Sequence, residues 1–255
     1  MDKTVGSAAE AVADITAGSS LAVGGFGLCG IPHVLIQAVY ETGVDRLVTV
    51  SNNCGTDDGG LGVLLAAGRI RRTVSSYVGE NREFARQYLS GELELELNPQ
   101  GTLAERLRAG GCGIPAFYTP AGVGTLVVDG GLPWRYRSDG TVEVASPPKE
   151  TREFNGQQYV LEEGIVTDYA LVRAALGDRH GNLVYEASAR NFNPLCAMAG
   201  RITVAEVERL VEPGVIAPKD VHTPGIFVQR IIEVGTGGKR IEKRIVRARQ
   251  EQSWL

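Results

Sequence analysis

From residue 20 the chain runs Ser20-Leu-Ala-Val-Gly-Gly-Phe-Gly-Leu-Cys-Gly-Ile-Pro32, an order of residues that few folds accommodate. Leu21, Ala22 and Val23 read as a short buried strand, the glycines as a turn, and Pro32 as the opening of a helix. Gly24, Gly25, Gly27 and Gly30 strip side chains from the strand's end, so another group can approach the backbone closely. Amides exposed at such a turn attract anions and carbonyl oxygens. The same residues would serve equally well as a tight strand-to-helix connection that binds nothing.

Gly25-Phe-Gly27-Leu-Cys-Gly30 also fits the G-x-G-x-x-G pattern of dinucleotide sites. Two features speak against that use. Bulky Phe26 stands between the first two glycines, and Ser51-Asn52-Asn53 occupies the end of the next strand, where an acidic residue would hold the ribose.

Strand-like and helix-like patterns then alternate, with glycine or asparagine at the joints. Ser7-Ala-Ala-Glu10 is a capping box before the apolar stripe of Ala11, Val12 and Ile15. Strands are predicted at Leu47–Val50 and Arg72–Val78, and helices around Leu61–Ala67 and Phe84–Leu89. Leu93, Leu95 and Leu97 alternate with Glu92, Glu94 and Glu96, which predicts a strand with one wet face. Thr102-Leu-Ala-Glu105 reads as a second capping box, opening a helix over Leu103–Ala109. This alternation predicts an α/β fold: an open, mainly parallel sheet with helices on both faces. Ligands bind such sheets beyond the carboxyl ends of the strands. Those ends are Gly24–Gly30, Asn52–Gly55, Gly79–Asn81 and Asn98–Gly101, four polar or glycine-rich loops expected to converge on one crevice.

The second half is less regular. Ile114–Thr119 and Leu126–Asp129 read as strands, as do Tyr159–Leu161, Tyr169–Val172 and Asn182–Tyr185. Arg201–Val211 is assigned to a strand on its β-branched content, with Pro213-Gly214 ending it. Residues 130–158 form an excursion expected to be flexible, with a hairpin at Ser138-Asp-Gly140. A single domain over 1–255 accommodates all of this.

At 255 residues and 43% hydrophobic content, the chain can bury a large core. Its net charge of −4 points away from nucleic acid. No apolar run has the length of a membrane span, and Met1-Asp-Lys-Thr does not begin like a signal peptide. Cys29, Cys54, Cys112 and Cys196 are widely spaced, as expected of reduced thiols in a cytoplasmic protein rather than of a disulfide or metal framework. His33, His180 and His222 have no acid or thiol partner nearby in sequence, so no triad or metal set is legible. The basic segment containing Lys239, Arg240, Lys243, Arg244, Arg247 and Arg249 reads as a solvated tail or surface helix. Asn52, Asn53 and Gln100 are more telling. Neutral amides at strand ends can donate to a carboxylate or carbonyl without adding charge. Turn chemistry accounts for an asparagine there, but glutamine has no special role in turns.

These segments carry a family resemblance. Gly24-Gly-Phe-Gly-Leu-Cys-Gly-Ile-Pro32 resembles the glycine-rich signature of class I coenzyme A transferases. Ser51-Asn-Asn-Cys-Gly55, Glu80-Asn-Arg-Glu-Phe84 and Asn98-Pro-Gln-Gly-Thr-Leu-Ala-Glu-Arg106 continue it. So do Gly113-Ile-Pro-Ala-Phe-Tyr-Thr-Pro120, Asn191-Phe-Asn-Pro194 and Val221-His-Thr-Pro-Gly225, in order along nearly the whole chain.

The resemblance is nearest to the A (alpha) subunits of members that move CoA from succinyl-CoA to a 3-oxo acid such as acetoacetate. It implies ping-pong transfer through a glutamyl-CoA thioester. The nucleophilic glutamate is expected on a separate B subunit, in an α2β2 assembly or similar, with coenzyme A as substrate and no other cofactor. In this chain Gln100, Asn52 and Asn53 would grip the acid, while amides of Gly25, Phe26 and Gly27 line the crevice. Glu80 is expected to be structural or pocket-lining rather than the nucleophile. Cys54 and Cys112 stand where small residues such as alanine are expected. Related enzymes accept acetate, butyrate or 3-oxoadipate. A sugar-phosphate isomerase and a non-catalytic acyl-CoA or carboxylate sensor are the rival readings, and neither requires a B-type partner.

Overall fold

The computed structural model describes residues 1–79, 81–237 and 241; Glu80 and the basic segment named above lie outside them. The first half alternates as its glycines mark it. In chain order it holds α1 (Ala8–Val12), β1 (Ser20–Val23), α2 (His33–Thr42), β2 (Leu47–Val50), α3 (Gly62–Ala66), β3 (Ile70–Ser75), α4 (Arg82–Leu89), β4 (Glu94–Leu97) and α5 (Gln100–Gly111). Then follow β5 (Ala116–Thr119), α6 (Leu126–Asp129), β6 (Pro133–Tyr136), β7 (Val142–Ala145), β8 (Thr151–Phe154) and β9 (Gln157–Glu163). The chain returns to the main sheet through β10 (Thr167–Asp178), β11 (Leu183–Val184), α7 (Asn193–Ala199), β12 (Gly200–Val211) and β13 (Arg230–Glu233).

The main sheet has the order β13-β12-β10-β1-β2-β3-β4, with β11 joined to β10. Every pair is parallel except β10 with β11. The chain steps outward from β1 to β4, then crosses back and continues from β10 to β13 on the other side. The strand order therefore reverses at β1 and β10, the kind of position where open parallel sheets bind ligands.

Alternation along the strands divides the core in two. Leu21 and Val23 of β1 pack with Leu35, Ile36 and Val39 of α2 and with Leu64 and Phe84, from α3 and α4. Ala22 points the other way, joining Leu103 and Leu107 of α5 and Cys196 and Ala197 of α7. Helices therefore cover both faces, as the alternation predicts.

Four local readings need correction. Leu126–Asp129 is a short helix, not a strand. Thr125 caps it through Oγ1, which accepts the Val127 N–H at 3.2 Å, and this local bond overrides the β-branched valines. Strand β3 spans Ile70–Ser75 rather than Arg72–Val78, in register with short β2. Helix α5 begins at Gln100, behind Pro99 with φ of −53°, so Thr102 lies inside the helix. Its hydroxyl is buried without a hydrogen-bond partner among the described residues, and Glu105 pairs instead with Arg108. The supposedly wet face of β4 is covered. Glu96 is buried between Arg72 and Arg106, and the Arg72 guanidinium lies over the Trp134 ring at 5.2 Å. Burial works against ionisation of Glu96, but Arg106, Asn98 and Arg72 together hold its carboxyl below the usual range.

The readings at Ser7, at Arg201–Val211 and at the Ser138-Asp-Gly140 turn hold. The Ser7 capping box forms, with the Glu10 N–H donating to Ser7 Oγ at 3.1 Å. The Glu10 carboxylate reaches back one residue further than the cap and accepts the Gly6 N–H at 2.9 Å. Arg201–Val211 is a strand, within β12. In the 130–158 excursion β6 and β7 form the expected hairpin across Ser138-Asp-Gly140, and Tyr88 ties it to α4 through its hydroxyl and the Pro133 carbonyl at 2.7 Å.

Candidate functional site

Strands β1 to β4 are parallel and adjacent, so their carboxyl ends emerge side by side. Hydrogen bonds extend the sheet past the strands themselves. Ser51 Oγ donates to the Val23 carbonyl at 2.8 Å. The Ser76 N–H donates to the Asn52 carbonyl at 3.0 Å, and the Asn98 N–H to the Ser75 carbonyl at 2.9 Å. The four loops therefore share one edge. Asn52 follows β2 and Gln100 follows β4, the strands on either side of β3.

Each expected residue has a definite setting there. Asn52 is 1% exposed, and its Nδ2 donates to Ser76 Oγ at 3.0 Å. Asn53 is buried, and its Oδ1 accepts the Gly55 N–H at 3.1 Å, an Asx turn that shapes the loop. Gln100 is exposed at the first position of α5, beside a hollow of about 380 Å³ lined by Pro99, Gly101, Thr102 and Tyr118. Gly25 and Gly27 take φ of +111° and +57°, which L side chains rarely adopt. Phe26 differs from its expected role. Its N–H donates to the Cys29 carbonyl at 3.0 Å and Cys29 returns the bond, so that amide is committed within the turn. Phe26 as a whole is 47% exposed.

Two asparagines from the start of α7 hold the glycine-rich turn in shape. Fully buried Asn193 accepts the Arg173 N–H at 3.0 Å and donates to the carbonyls of Gly30 at 2.9 Å and Ala189 at 2.8 Å. Asn191 donates to the Cys29 carbonyl at 3.1 Å. Close approach requires Gly24: a Cβ there would collide with the Asn193 carboxamide, lying 2.6 Å from its Cγ. Asn191-Phe-Asn-Pro194 thus positions the turn from more than 160 residues away in sequence.

On the other flank of β1, a cleft of about 180 Å³ is lined by Leu28, Ile31, His33, Arg173, Ala187 and Glu208. Among the described residues, Asn52, Asn53 and Gln100 take no part in it. A buried charge cluster lies beneath. Arg173 donates to Glu206 at 2.7 Å and meets His33 Nδ1 at 2.9 Å. Glu206 also accepts the Leu35 N–H at 2.9 Å. It thereby caps α2, whose preceding Pro32 offers no side-chain bond. Desolvation, then Arg173, lowers the His33 pKa, so the ring is neutral near pH 7 and accepts from Arg173. The 3.5 Å approach of His33 to Glu206 is accordingly not an ion pair.

Desolvation pushes the Glu206 carboxyl from 4.5 up to about 7, against the pull of the Leu35 N–H and Arg173. The folded chain then binds this proton more tightly than the unfolded chain does. Its contribution to stability is complete below pH 4.5 and is lost as pH rises through 7. Glu206→Gln removes the titration. Urea midpoints measured between about pH 5 and 7.5 should fall with rising pH in the wild type relative to the variant; parallel curves would contradict the raised value.

The described thiols and carboxylates nearby are otherwise occupied. Burial pushes the thiols of Cys54 and Cys196 up to about 12, which leaves them inert at neutral pH. Asp57 accepts the Arg82 N–H at 2.7 Å at the start of α4. No group of three or more potential metal ligands occurs among the described residues, and no described helix is long and apolar enough to cross a membrane.

Comparison with known proteins agrees with this architecture. The E. coli O157:H7 acyl-CoA transferase, solved as a thioester complex with CoA, superposes with a TM-score of 0.76 at 24% identity, over 91% of this chain and 47% of that one. The chain is 71% identical to the probable A-type subunit of succinyl-CoA:3-ketoacid coenzyme A transferase from Mycobacterium tuberculosis, over 97% of this chain and 100% of that one. It is 55% identical to human mitochondrial succinyl-CoA:3-ketoacid coenzyme A transferase 2, over 93% of this chain but 45% of that longer protein. Residues 5–234 match the coenzyme A transferase family model. A sheet that reverses order beside a glycine-rich turn, and this match across nearly all its length, place the chain in the coenzyme A transferase family.

Proposed function

We propose that this chain is the acid-binding half of a two-subunit transferase that moves CoA from succinyl-CoA to a 3-oxo acid such as acetoacetate. The observation that carries this reading is the shared edge of β1 to β4, whose loops hold Asn52, Asn53 and Gln100. The Gly25 and Gly27 N–H groups donate to no described residue and are assigned the same task. Such donors hold a carboxylate or a developing oxyanion without the desolvation cost of a buried cation.

The covalent step is assigned to a glutamate of the partner subunit. Its carboxylate bonds to the acyl carbon, CoA leaves as thiolate, and the thiolate then attacks the anhydride to form glutamyl-CoA and release succinate. The 3-oxo acid reverses these steps. Two observations favour the division of labour. Asp57 and Glu96 on this edge are engaged in capping and ion pairs. Exposed Phe26, Tyr77 and Leu97 crown the same edge, an apolar rim suited to being covered by a second chain.

The test is acetoacetate-dependent loss of succinyl-CoA, assayed for the chain alone and after co-purification with a B-type partner. Turnover is expected only with the partner. Robust turnover by the isolated chain would overturn the assignment of the glutamate. A panel of acetate, butyrate, acetoacetate and 3-oxoadipate then ranks the acceptors, since differences of a methylene or two discriminate only about 10- to 200-fold.

A further inference from the structure

Asn52 does not satisfy its own hydrogen-bonding capacity. Its Oδ1 is buried and accepts no hydrogen bond from the described residues. Its Nδ2 donates to Ser76 Oγ at 3.0 Å. The Ser76 hydroxyl in turn donates to the Asn52 main-chain carbonyl at 3.3 Å. That carbonyl already takes the Ser76 N–H at 3.0 Å, so the hydroxyl's contribution there is redundant.

A half-turn of the carboxamide exchanges oxygen and nitrogen within nearly the same volume. Ser76 Oγ both donates and accepts, so after the half-turn it can donate to Oδ1 instead of accepting from Nδ2. The bond between the two side chains survives. What changes is the other end of the amide: an unmatched acceptor becomes a free N–H pair, the group that an acid's oxygens need. A buried oxygen with no donor is costly, so an incoming carboxylate or acyl oxygen favours the donor orientation.

We propose that Ser76 is a positioning residue, whose two-way hydroxyl lets Asn52 turn its amide donors toward the oxygen atoms of the acid. The inference rests on the reading of this crevice as the acid site. Ser76 is half-buried just past the end of β3, with its hydroxyl beside the amide and no other side-chain hydrogen bond among the described residues. Alanine leaves the amide without this partner in either orientation, whereas threonine keeps the hydroxyl.

The test is a double-mutant cycle in the complex co-purified with its partner chain. Ser76→Ala should raise KM for acetoacetate about tenfold with kcat within about threefold, while Ser76→Thr stays within about twofold of wild type. In an Asn52→Ala background, Ser76→Ala should add less than about a twofold loss. A merely structural serine would cost the same factor in both backgrounds. If Asn52→Ala impairs transfer while Ser76→Ala is harmless, or if the two losses multiply, the role of Ser76 is overturned and the acid site stands. An Asn52→Ala enzyme with full activity overturns both.

Discussion

Gly24→Ala should lower the melting temperature by about 6–12 °C, the equivalent of roughly 3 kcal/mol in a chain of this size. The added methyl cannot be absorbed by a flexible side-chain end. It meets the Asn193 carboxamide, with the Asn193 Cα itself 3.1 Å away. Asn193 is fully buried and makes three hydrogen bonds, to Arg173, Gly30 and Ala189. Moving it strands buried polar groups at about 1–3 kcal/mol each, added to the cost of overpacking. Gly101→Ala is the control, because a Cβ at Gly101 meets nothing within 4 Å and alanine suits a helix better than glycine. Circular-dichroism melts of both variants settle the point. A Gly24→Ala protein that melts with the wild type would show that the turn is not closely packed on α7.

Gln100→Ala is expected to do the opposite, leaving the melting curve in place while lowering kcat/KM of the complex by about 10²-fold or more. Gln100 is exposed at the first position of α5, and its side chain makes no hydrogen bond to a described residue. Surface substitutions of that kind usually change stability by less than about 0.5 kcal/mol. Any loss of activity is then a loss of interaction with the bound acid rather than of fold. Steady-state kinetics on the complex, with the melt as companion, separates the two. Unchanged kinetics would remove Gln100 from the site and leave the asparagine loop as the acid's main anchor.

The period of the hydrophobic pattern and its glycine punctuation carried most of the architecture. Alternating βα units predict a parallel sheet covered on both faces, since each strand must bury residues on both sides. Adjacent placement of the four loop edges follows from the same alternation, and Asn52, Asn53 and Gln100 stand out there as neutral amides at strand ends. Local chemistry was weaker where two signals competed. Val127 and Val128 favour a strand, but Thr125 caps a helix. Glu94 and Glu96 imitate a solvated face because nothing in the alternation shows that Arg72, Arg106 and Trp134 will cover it.

By itself, then, the order of residues determined the class of fold and the set of loops that share the carboxyl edge of the sheet, because these depend on spacings of a few residues. Only the tertiary structure decided what holds that edge in shape. Asn191 and Asn193 meet the glycine-rich turn from more than 160 positions away, and Glu206 caps α2 from 171 away. It also decided that the Phe26 amide is spent within its own turn and that the Asn52 side chain bonds to Ser76. Contacts of that length arise where strands far apart in the chain become neighbours in the sheet, and no local pattern records them.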